Sequence, residues 1–463
     1  MRSSRRARSR ESGMSAHDDR HGAGTPAGID VLVVGAGPAG VSAAIEAARR
    51  GARVLLVEQR PHAGGAIHRA AHDGGPSAVP MPARHKRNWA RLLRQLAALS
   101  DRIRLLTSTV FLGIDGDGVC MLDNRAAGQV KLVRARAVIY AIGATERAPH
   151  IPGWELPGVV TAGGLQVQMK ESGQAPQGRI LVAGNGPLPL ALGAQLAALG
   201  NAPVAVLEAA APCRNLWRRP FAAAGLAAGL AAGLAAGPRQ LLEAAGYFRR
   251  LRAARVPYRT AVAVSAVSRV DGALRVRTQG PRDATRDYQV DVLVLHAGLA
   301  RNDRGIPRGD LHGIVIASAG DCHRVLGADA ALGEGRRVAA MVMARLAGAP
   351  PRAPRRLAAE VFQESIWRLY ENPRPPVDGD TILCRCEGVT ARDLAARDLH
   401  SGRETRLVGR VGMGLCQGRY CAHAATRAGD EANALTLAEI DGDVPRWPIR
   451  PVSVKALADA GDL

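Results

Sequence analysis

Lysine and aromatic side chains are scarce in this chain. Only four of its 62 basic residues are lysine (Lys86, Lys131, Lys170 and Lys455), and aromatics make up 3% of its 463 residues. Single-stranded nucleic acid needs aromatic faces on which its bases can stack, so the formal net charge of +21 does not read as a nucleic-acid surface. With alanine and glycine also abundant, the arginine excess reads as a coding bias. No apolar run reaches clear transmembrane length. Residues 1–28 are rich in Arg, Ser and Gly and lack the apolar core of a signal peptide; the expectation is a disordered tail, with Met14 a second candidate start. A cytoplasmic protein follows, with peripheral association at the inner face of the membrane left open. Cysteine is sparse as well, seven in all, and a disulfide framework is the weakest reading for a chain this long without a secretory signal. What remains, 47% hydrophobic, can bury a large core in about two to four domains.

Four of the seven cysteines fall close together. Cys384 and Cys386 stand in CRCEGVT, and Cys416 and Cys421 in GMGLCQGRYC. Thiolate-only ligand sets select iron–sulfur clusters or zinc. Structural zinc sites space each pair as C-x2-C or wider, because a turn must grip one tetrahedral ion. The tighter C-x-C pair suits one iron of a [2Fe–2S] rhomb, with Cys416 and Cys421 on the other, and Arg385 and Arg419 would then offset the anionic charge. Zinc and inert thiols remain as alternatives.

Residues 30–58 carry chemistry of another kind: a strand at Asp30–Val34, the loop Gly35-Ala36-Gly37-Pro38-Ala39-Gly40, an Ala-rich helix, and a strand at Val54–Glu58. This is G-x-G-x-x-G in strand–helix context with an acid about 20 positions on. Gly35 makes the turn, Gly37 lets the backbone approach a pyrophosphate, Gly40 permits close helix–strand packing, and Glu58 is placed for ribose hydroxyls. A poorer copy follows: a strand at Arg179–Ala183, then Gly184-Asn185-Gly186-Pro187-Leu188-Pro189, a helix, and a strand ending at Glu208. Pro189 replaces the third glycine. Two readings stand for Gly184, Gly186 and Glu208: a bound adenine nucleotide, or a retained fold with no nicotinamide site.

The segments CRCEGVTARDL and RVGMGLCQGRYC resemble the BFD-type [2Fe–2S] domain, and residues 143–158 (GATERAPHIPGWELPG) resemble the same A subunits of opine oxidases, B subunit of hydrogen cyanide synthase, and α subunits of proline and hydroxyproline dehydrogenases. Leu415 stands where that pattern has proline, a departure in a turn and not in a ligand. The resemblance implies an α/β fold, a flavoprotein with two Rossmann-like dinucleotide-binding domains and a small C-terminal BFD-like iron–sulfur domain. It also implies FAD in the first fold, with Gly143, Gly320 and Asp321 as later contacts and a helix starting near Ala330 aimed at the flavin. The expected domains are 29–150 with 293–347 for FAD, 151–292 inserted, 348–376 linker and helix, and 377–463 for the cluster, with Val292–Leu295 as the strand returning to the FAD sheet. Ala222–Gly237 reads as a packed surface helix. The function implied is an electron-transfer subunit of a hetero-oligomeric amino-acid or opine-type dehydrogenase. Its partners would be a substrate-oxidising flavoprotein and, in some assemblies, a small ferredoxin-like protein. A self-sufficient NAD(P)H- or amine-dependent oxidoreductase and a non-enzymatic redox module are the rivals. No substrate base is named; His68, His150, His323 and His423 read as loop or surface residues.

Overall fold

A computed structural model describes residues 28–218, 224, 227, 237–307, 309–311, 313–350, 358–371, 377, 379–397, 399–425 and 448–463. The expected N-terminal tail and nearly all of the Ala222–Gly237 helix lie outside these residues. Two apolar runs, IDVLVV and VLLV, form β1 (Ile29–Val34) and β2 (Val54–Val57), joined by α1 (Pro38–Arg49). Such continuous runs belong to parallel strands covered on both faces, and β1 pairs in parallel with β2. After α2 (Ala83–Ala97), β3 (Ile103–Leu106) extends the sheet beyond β2. An antiparallel meander follows, β4 (Thr109–Ile114), β5 (Val119–Asn124) and β6 (Gln129–Tyr140). The first half of β6 pairs with β5 and its second half with β1, so one strand leads the chain from the meander back into the parallel sheet.

From β7 (Ala144–Glu146) the chain crosses to a second unit. It comprises β8 (Val159–Thr161), α3 (Ala162–Ser172), β9 (Ile180–Gly184), α4 (Pro187–Ala198), β10 (Ala205–Glu208), α5 (Pro212–Arg218), α6 (Gly237–Ala253) and β11 (Tyr258–Thr260). The antiparallel β12 (Ala263–Val270), β13 (Ala273–Gln279) and β14 (Thr285–Val290) precede β15 (Val292–His296). The second sheet has the order β11-β10-β9-β15-β8. The expectation that Val292–Leu295 returns to the FAD sheet is therefore corrected: β15 lies between β8 and β9, in register with both. The return comes later. β16 (Leu299–Arg301) pairs antiparallel with β7, and β17 (Val315–Ser318) then joins β6 in the first sheet. The following helix, α7 (Ala328–Leu346), lies against α1 so closely that a Cβ at Gly335 would stand 2.2 Å from the Ala39 carbonyl oxygen.

Beyond α7, α8 (Ala358–Leu369) precedes the small thiol-bearing unit. That unit contains the hairpin β18 (Ile382–Cys384) and β19 (Val389–Thr390), then α9 (Ala391–Ala395) and α10 (Gly402–Leu407). Both helices start on capping boxes, Thr390 with Asp393 and Ser401 with Glu404, the reciprocal arrangement that satisfies orphan N–H groups at a helix start. Residues 377–463 do not form one domain as expected. The C-terminal stretch leaves the thiol unit and returns to the first: Gly461 and Asp462 add a short strand beside β6, the Ile449 N–H donates to the Leu112 carbonyl at 2.9 Å, and Ile449 packs with Phe111, Ile114 and Tyr140. The physical reason is apolar: an isolated unit of this size buries too little surface, and Ile449 and Ala456 complete cores of the β4–β6 meander.

Ile449→Ala is expected to destabilise the first unit by about 2–5 kcal/mol, read as a lowered denaturant midpoint of that unit. An unchanged midpoint would show that the C-terminal return is only laid on the surface.

Candidate functional site

The first glycine loop is shaped by three backbone constraints. Gly35 adopts φ +100°, which favours glycine, and a Cβ at Gly40 would fall 1.8 Å from the Gly35 carbonyl oxygen, so helix α1 leaves the loop at contact distance. At Gly37 the nearest atom to a hypothetical Cβ is the Gly65 Cα at 3.6 Å. Glu58, 6% exposed at the end of β2, accepts from the Ala36 N–H at 2.9 Å and from the Arg60 N–H at 3.0 Å, holding the loop against the strand. Pro38 and Ala39 open α1, whose N-cap Gly37 carries no side-chain cap. Its first N–H groups can thus serve a phosphate.

Gly320 and Asp321 come to the same place from the other end of the chain. A Cβ at Gly320 would stand 2.6 Å from that of Ala39, and the Gly320 N–H donates to buried Glu334 at 2.9 Å. Asp321 Oδ1 accepts from the Leu326 and Gly327 N–H groups, both at 2.9 Å, and burial raises its pKa. Its Oδ2 would be the oxygen to meet a ribityl hydroxyl were FAD held here. Ala330 is buried in the first turn of α7, whose N-cap is again an uncapped glycine, Gly327. Gly143 sits at the turn from β6 into β7 with φ +70°. Loop Gly35–Gly40, Glu58, Gly143, Gly320, Asp321 and the start of α7 are thus gathered around the parallel sheet, the residues that would hold FAD.

Sequence reasoning missed two contributors. The doublet Gly64-Gly65 turns back onto the loop, with the Gly64 N–H donating to the Ala36 carbonyl at 2.9 Å; a glycine pair shortly after the β2 acid was the available signal. Lys170, buried on α3, donates to the Ala66 and Ile67 carbonyls at 3.0 and 3.2 Å, and burial lowers its pKa to about 8. Nothing local in the sequence marks it. Of the expected surface histidines, His68 is half-buried, stacks on Trp89 at 4.8 Å and is lowered to about 4, chiefly by burial. His323 is half-exposed and lies 2.6 Å from Glu334. The side chain of His423 is outside the described residues.

The second loop repeats the clasp. Glu208, fully buried at the end of β10, accepts from the Gly186 N–H at 2.9 Å and the Ala210 N–H at 2.8 Å, and burial pushes its pKa up to about 8. Gly184 abuts His296 at the end of β15. What lies over Gly186 is different: a Cβ there would meet Cζ3 of Trp367, from α8, at 3.2 Å.

All seven cysteines are free thiols. The four clustered ones form a contact chain, Cys386 to Cys416, Cys416 to Cys421, and Cys421 to Cys384. The hydrogen bond from Cys421 holds Cys384 down to about 6, helped by the Gly412 and Glu387 N–H groups. Cys416 falls to about 5, again first through Cys421 and then through the Tyr420 and Gly418 N–H groups. Cys421, the donor, is raised, and burial raises Cys386. A Cβ at Gly414 would stand 2.2 Å from that of Cys386, so the second loop lies directly on the first. Among the described residues no group of three or more His, Cys, Asp or Glu side chains is placed to hold a metal ion. Leu415, where the resembled pattern has proline, is 79% exposed.

The thiol hairpin docks on residues 149–155. Trp154 Nε1–H donates to the Ile382 carbonyl at 2.8 Å, and His150 Nε2 lies 3.2 Å from the Leu383 carbonyl; that acceptor requires the proton on Nε2. The two rings meet edge to face at 5.3 Å. His150 is therefore a loop residue, as expected, but one buried at the dock and not exposed at the surface. Arg385, expected to balance charge at the thiols, instead lies 6.0 Å from the Trp154 ring centre and donates to the Glu155 carbonyl. Arg419 stays beside the thiols, donating to the Cys416 carbonyl at 2.9 Å. Burial, with Arg450 and Arg304 near, lowers its pKa to about 10.

Gly37→Val is expected to leave the fold intact, because only Gly65 borders the space a side chain would enter, but to abolish flavin retention, because that space is where a pyrophosphate must approach. Flavin absorbance after purification, with circular dichroism as control, checks this; stoichiometric flavin in the variant would place the cofactor elsewhere.

Residues 29–228 match the pyridine nucleotide-disulphide oxidoreductase family model. The chain is 29% identical to the A subunit of opine oxidase from Rhizobium meliloti over 93% of its own length and 87% of that protein's. It is likewise 29% identical to the hydrogen cyanide synthase subunit HcnB of Pseudomonas aeruginosa, over 93% and 98%. Among solved structures, L-proline dehydrogenase from P. horikoshii superposes with a TM-score of 0.58 at 19% identity, covering 93% of this chain and 79% of that one. No helix among the described residues is long and apolar enough to cross a membrane. By sequence, this chain is similar along almost its whole length to HcnB and to the A subunits of opine oxidases, its residues 29–228 match the pyridine nucleotide-disulphide oxidoreductase model, and its fold is that of L-proline dehydrogenase from P. horikoshii.

Proposed function

We propose that this chain is the FAD- and [2Fe–2S]-carrying electron-transfer subunit of a hetero-oligomeric dehydrogenase that oxidises the C–N bond of an amino acid or opine. The observation that carries the proposal is the docking of a four-thiol loop pair directly onto the flavoprotein unit. The four thiols form an unbroken chain of contacts, Cys386 to Cys416 to Cys421 to Cys384; a thiolate-only set suits an iron–sulfur centre, and the C-x-C spacing favours two irons over one tetrahedral ion. Backbone N–H groups aimed at Cys384 and Cys416 stabilise thiolates, which are the ligating form. Kinship with proteins named as subunits supports a partner that oxidises the substrate.

In this reading FAD supplies two-electron acceptance and one-electron release, and the cluster takes electrons singly. The chain's own residues set the distance between them. Gly143 borders the flavin loop, β7 runs from it toward His150, and His150 donates to the carbonyl of Leu383, the neighbour of Cys384. Trp154 fixes the same hairpin one residue earlier, at Ile382. These contacts hold the thiol unit at one orientation.

Cys384→Ser, Cys416→Ser and Cys421→Ser are each expected to lose iron and the paramagnetic signal of the reduced protein while keeping flavin. Full iron content in all three would remove the assignment. Trp154→Ala is expected to keep both centres but to slow flavin-to-cluster electron transfer at least about tenfold, since a slackened dock lengthens the path; rapid-mixing spectroscopy reads this directly. The isolated chain should not oxidise opines, proline, hydroxyproline or glycine until its partner is added. Robust amine oxidation by the chain alone would move the active site onto this polypeptide.

A further inference from the structure

The two nucleotide loops share a clasp and differ in what covers them. In each, an acid at the end of the second strand accepts the N–H of a loop residue at 2.9 Å, Glu58 from Ala36 and Glu208 from Gly186. The second glycine of such a loop must stay bare, because a dinucleotide's pyrophosphate passes over it. Over Gly37 there is only the Cα of another glycine. Over Gly186 there is an indole ring at 3.2 Å from the Cβ position.

That indole is anchored. Trp367 Nε1–H donates to the Val325 carbonyl at 2.9 Å. The helix bearing it, α8, is fixed at one end by Glu360, 1% exposed, which pairs with Arg337 at 2.6 Å and with Arg324 at 3.5 Å. At its other end Asn215 Nδ2 donates to the Leu369 carbonyl at 2.8 Å and the Glu371 carbonyl at 3.3 Å. Just beyond the helix, Tyr370 is hydrogen-bonded to Tyr258, and both rings lie within electrostatic reach of Glu208. The pyrophosphate position and the neighbourhood of the ribose acid are thus both taken by residues of this chain. Glu208 is 0% exposed against 6% for Glu58, although each acid accepts two backbone N–H groups, so it is the cover beside Glu208 and not its own hydrogen bonding that separates it from a ribose.

We infer that α8 is a built-in occupant of the second dinucleotide fold, with Trp367 on the glycine loop and Tyr370 beside Glu208, so that neither a nicotinamide nor an adenine nucleotide binds there. The segment expected to be a linker and helix is then a wedge that closes one route of electron entry. It follows that NADH and NADPH do not reduce the flavin of this chain through its second fold, and that electrons arrive from another subunit. This rests on the first fold being the flavin site but not on the cluster assignment.

Equilibrium dialysis and calorimetry of the flavin-loaded, full-length protein with NADH, NADPH, ADP and ATP test it. The wild-type chain is expected to show no saturable binding up to about 1 mM and no anaerobic flavin bleaching by NADH or NADPH. Trp367→Ala is expected to bind ADP at least about tenfold more tightly than wild type, whereas Trp367→Phe, which keeps an aromatic ring over Gly186, is not. Flavin content equal to wild type certifies each variant's fold, and the wild-type measurement stands even if Trp367→Ala fails to fold. Micromolar nucleotide binding by the wild type that Gly186→Val abolishes would overturn the inference. So would a folded Trp367→Ala that binds ADP no better than wild type. Iron loss or retention in the cysteine variants reports separately on the relay reading.

Discussion

Backbone contact between α1 and α7 is the constraint on which the rest of the molecule depends. Gly335 meets the Ala39 carbonyl with no room for a Cβ, and Ser42 Oγ donates to the Leu332 carbonyl at 2.8 Å in the same interface. Buried alanines on α1 and buried Val338, Ala339 and Val342 on α7 share one apolar core with β1 and β2. Small residues on both helices allow the approach, and the approach brings Gly320 onto Ala39. The glycine loop near the start of the chain and the Gly-Asp turn far along it therefore make one site. Everything between β7 and β16 is an excursion that must leave and re-enter without disturbing that contact. The pairing of β7 with β16 is how it does so: exit and return lie side by side.

The inserted unit is tied back to the first by polar contacts that cross the boundary. Lys170 reaches the Ala66 and Ile67 carbonyls, Glu171 faces Arg60 and Arg69, and Arg84 bridges Glu243 on α6 and Asp329 on α7 at 2.9 and 2.6 Å. The Arg84 pairs are four-fifths buried, so their geometry counts for more than that of an exposed ion pair. Buried polar links of this kind fix orientation more than they add stability.

How much of this was legible in the sequence depended on whether a residue's role was local. The strands of both fingerprints lie within a residue of their expected bounds, because each is a short apolar run, ended by a glycine turn in the first strand of each pair and by an acid in the second. A helix was expected within residues 348–376 and the structure gives one at Ala358–Leu369, yet sequence pattern does not say what the helix packs against. Trp367 was thus invisible as the cover of Gly186. The run VLVLH was equally readable as a buried strand, and nothing in it distinguishes the first sheet from the second. His150 and Trp154 sit in a loop stretch rich in proline and glycine, where burial comes entirely from a hairpin more than two hundred residues away. The acids stand at the strand ends where the spacing put them, but the partners the structure gives them are backbone N–H groups beside them, a use that a spacing rule for ribose does not contain.

The C-terminal return changes what the thiol unit can do. Docked through β18 on His150 and Trp154, it is also tethered through residues 448–463 to the meander of the first unit, where Ile449 is part of the core and Arg419, three residues from Cys416, donates to the Ile449 carbonyl at 3.3 Å. The thiol loop is thereby linked to both flavoprotein units at once. A unit held at two separated faces cannot swing between a flavin and a distant acceptor as a singly tethered carrier can. Under the proposed relay, electron exchange with a further protein would then occur across the unit's remaining exposed side, where Cys386, Leu415 and Tyr420 reach solvent.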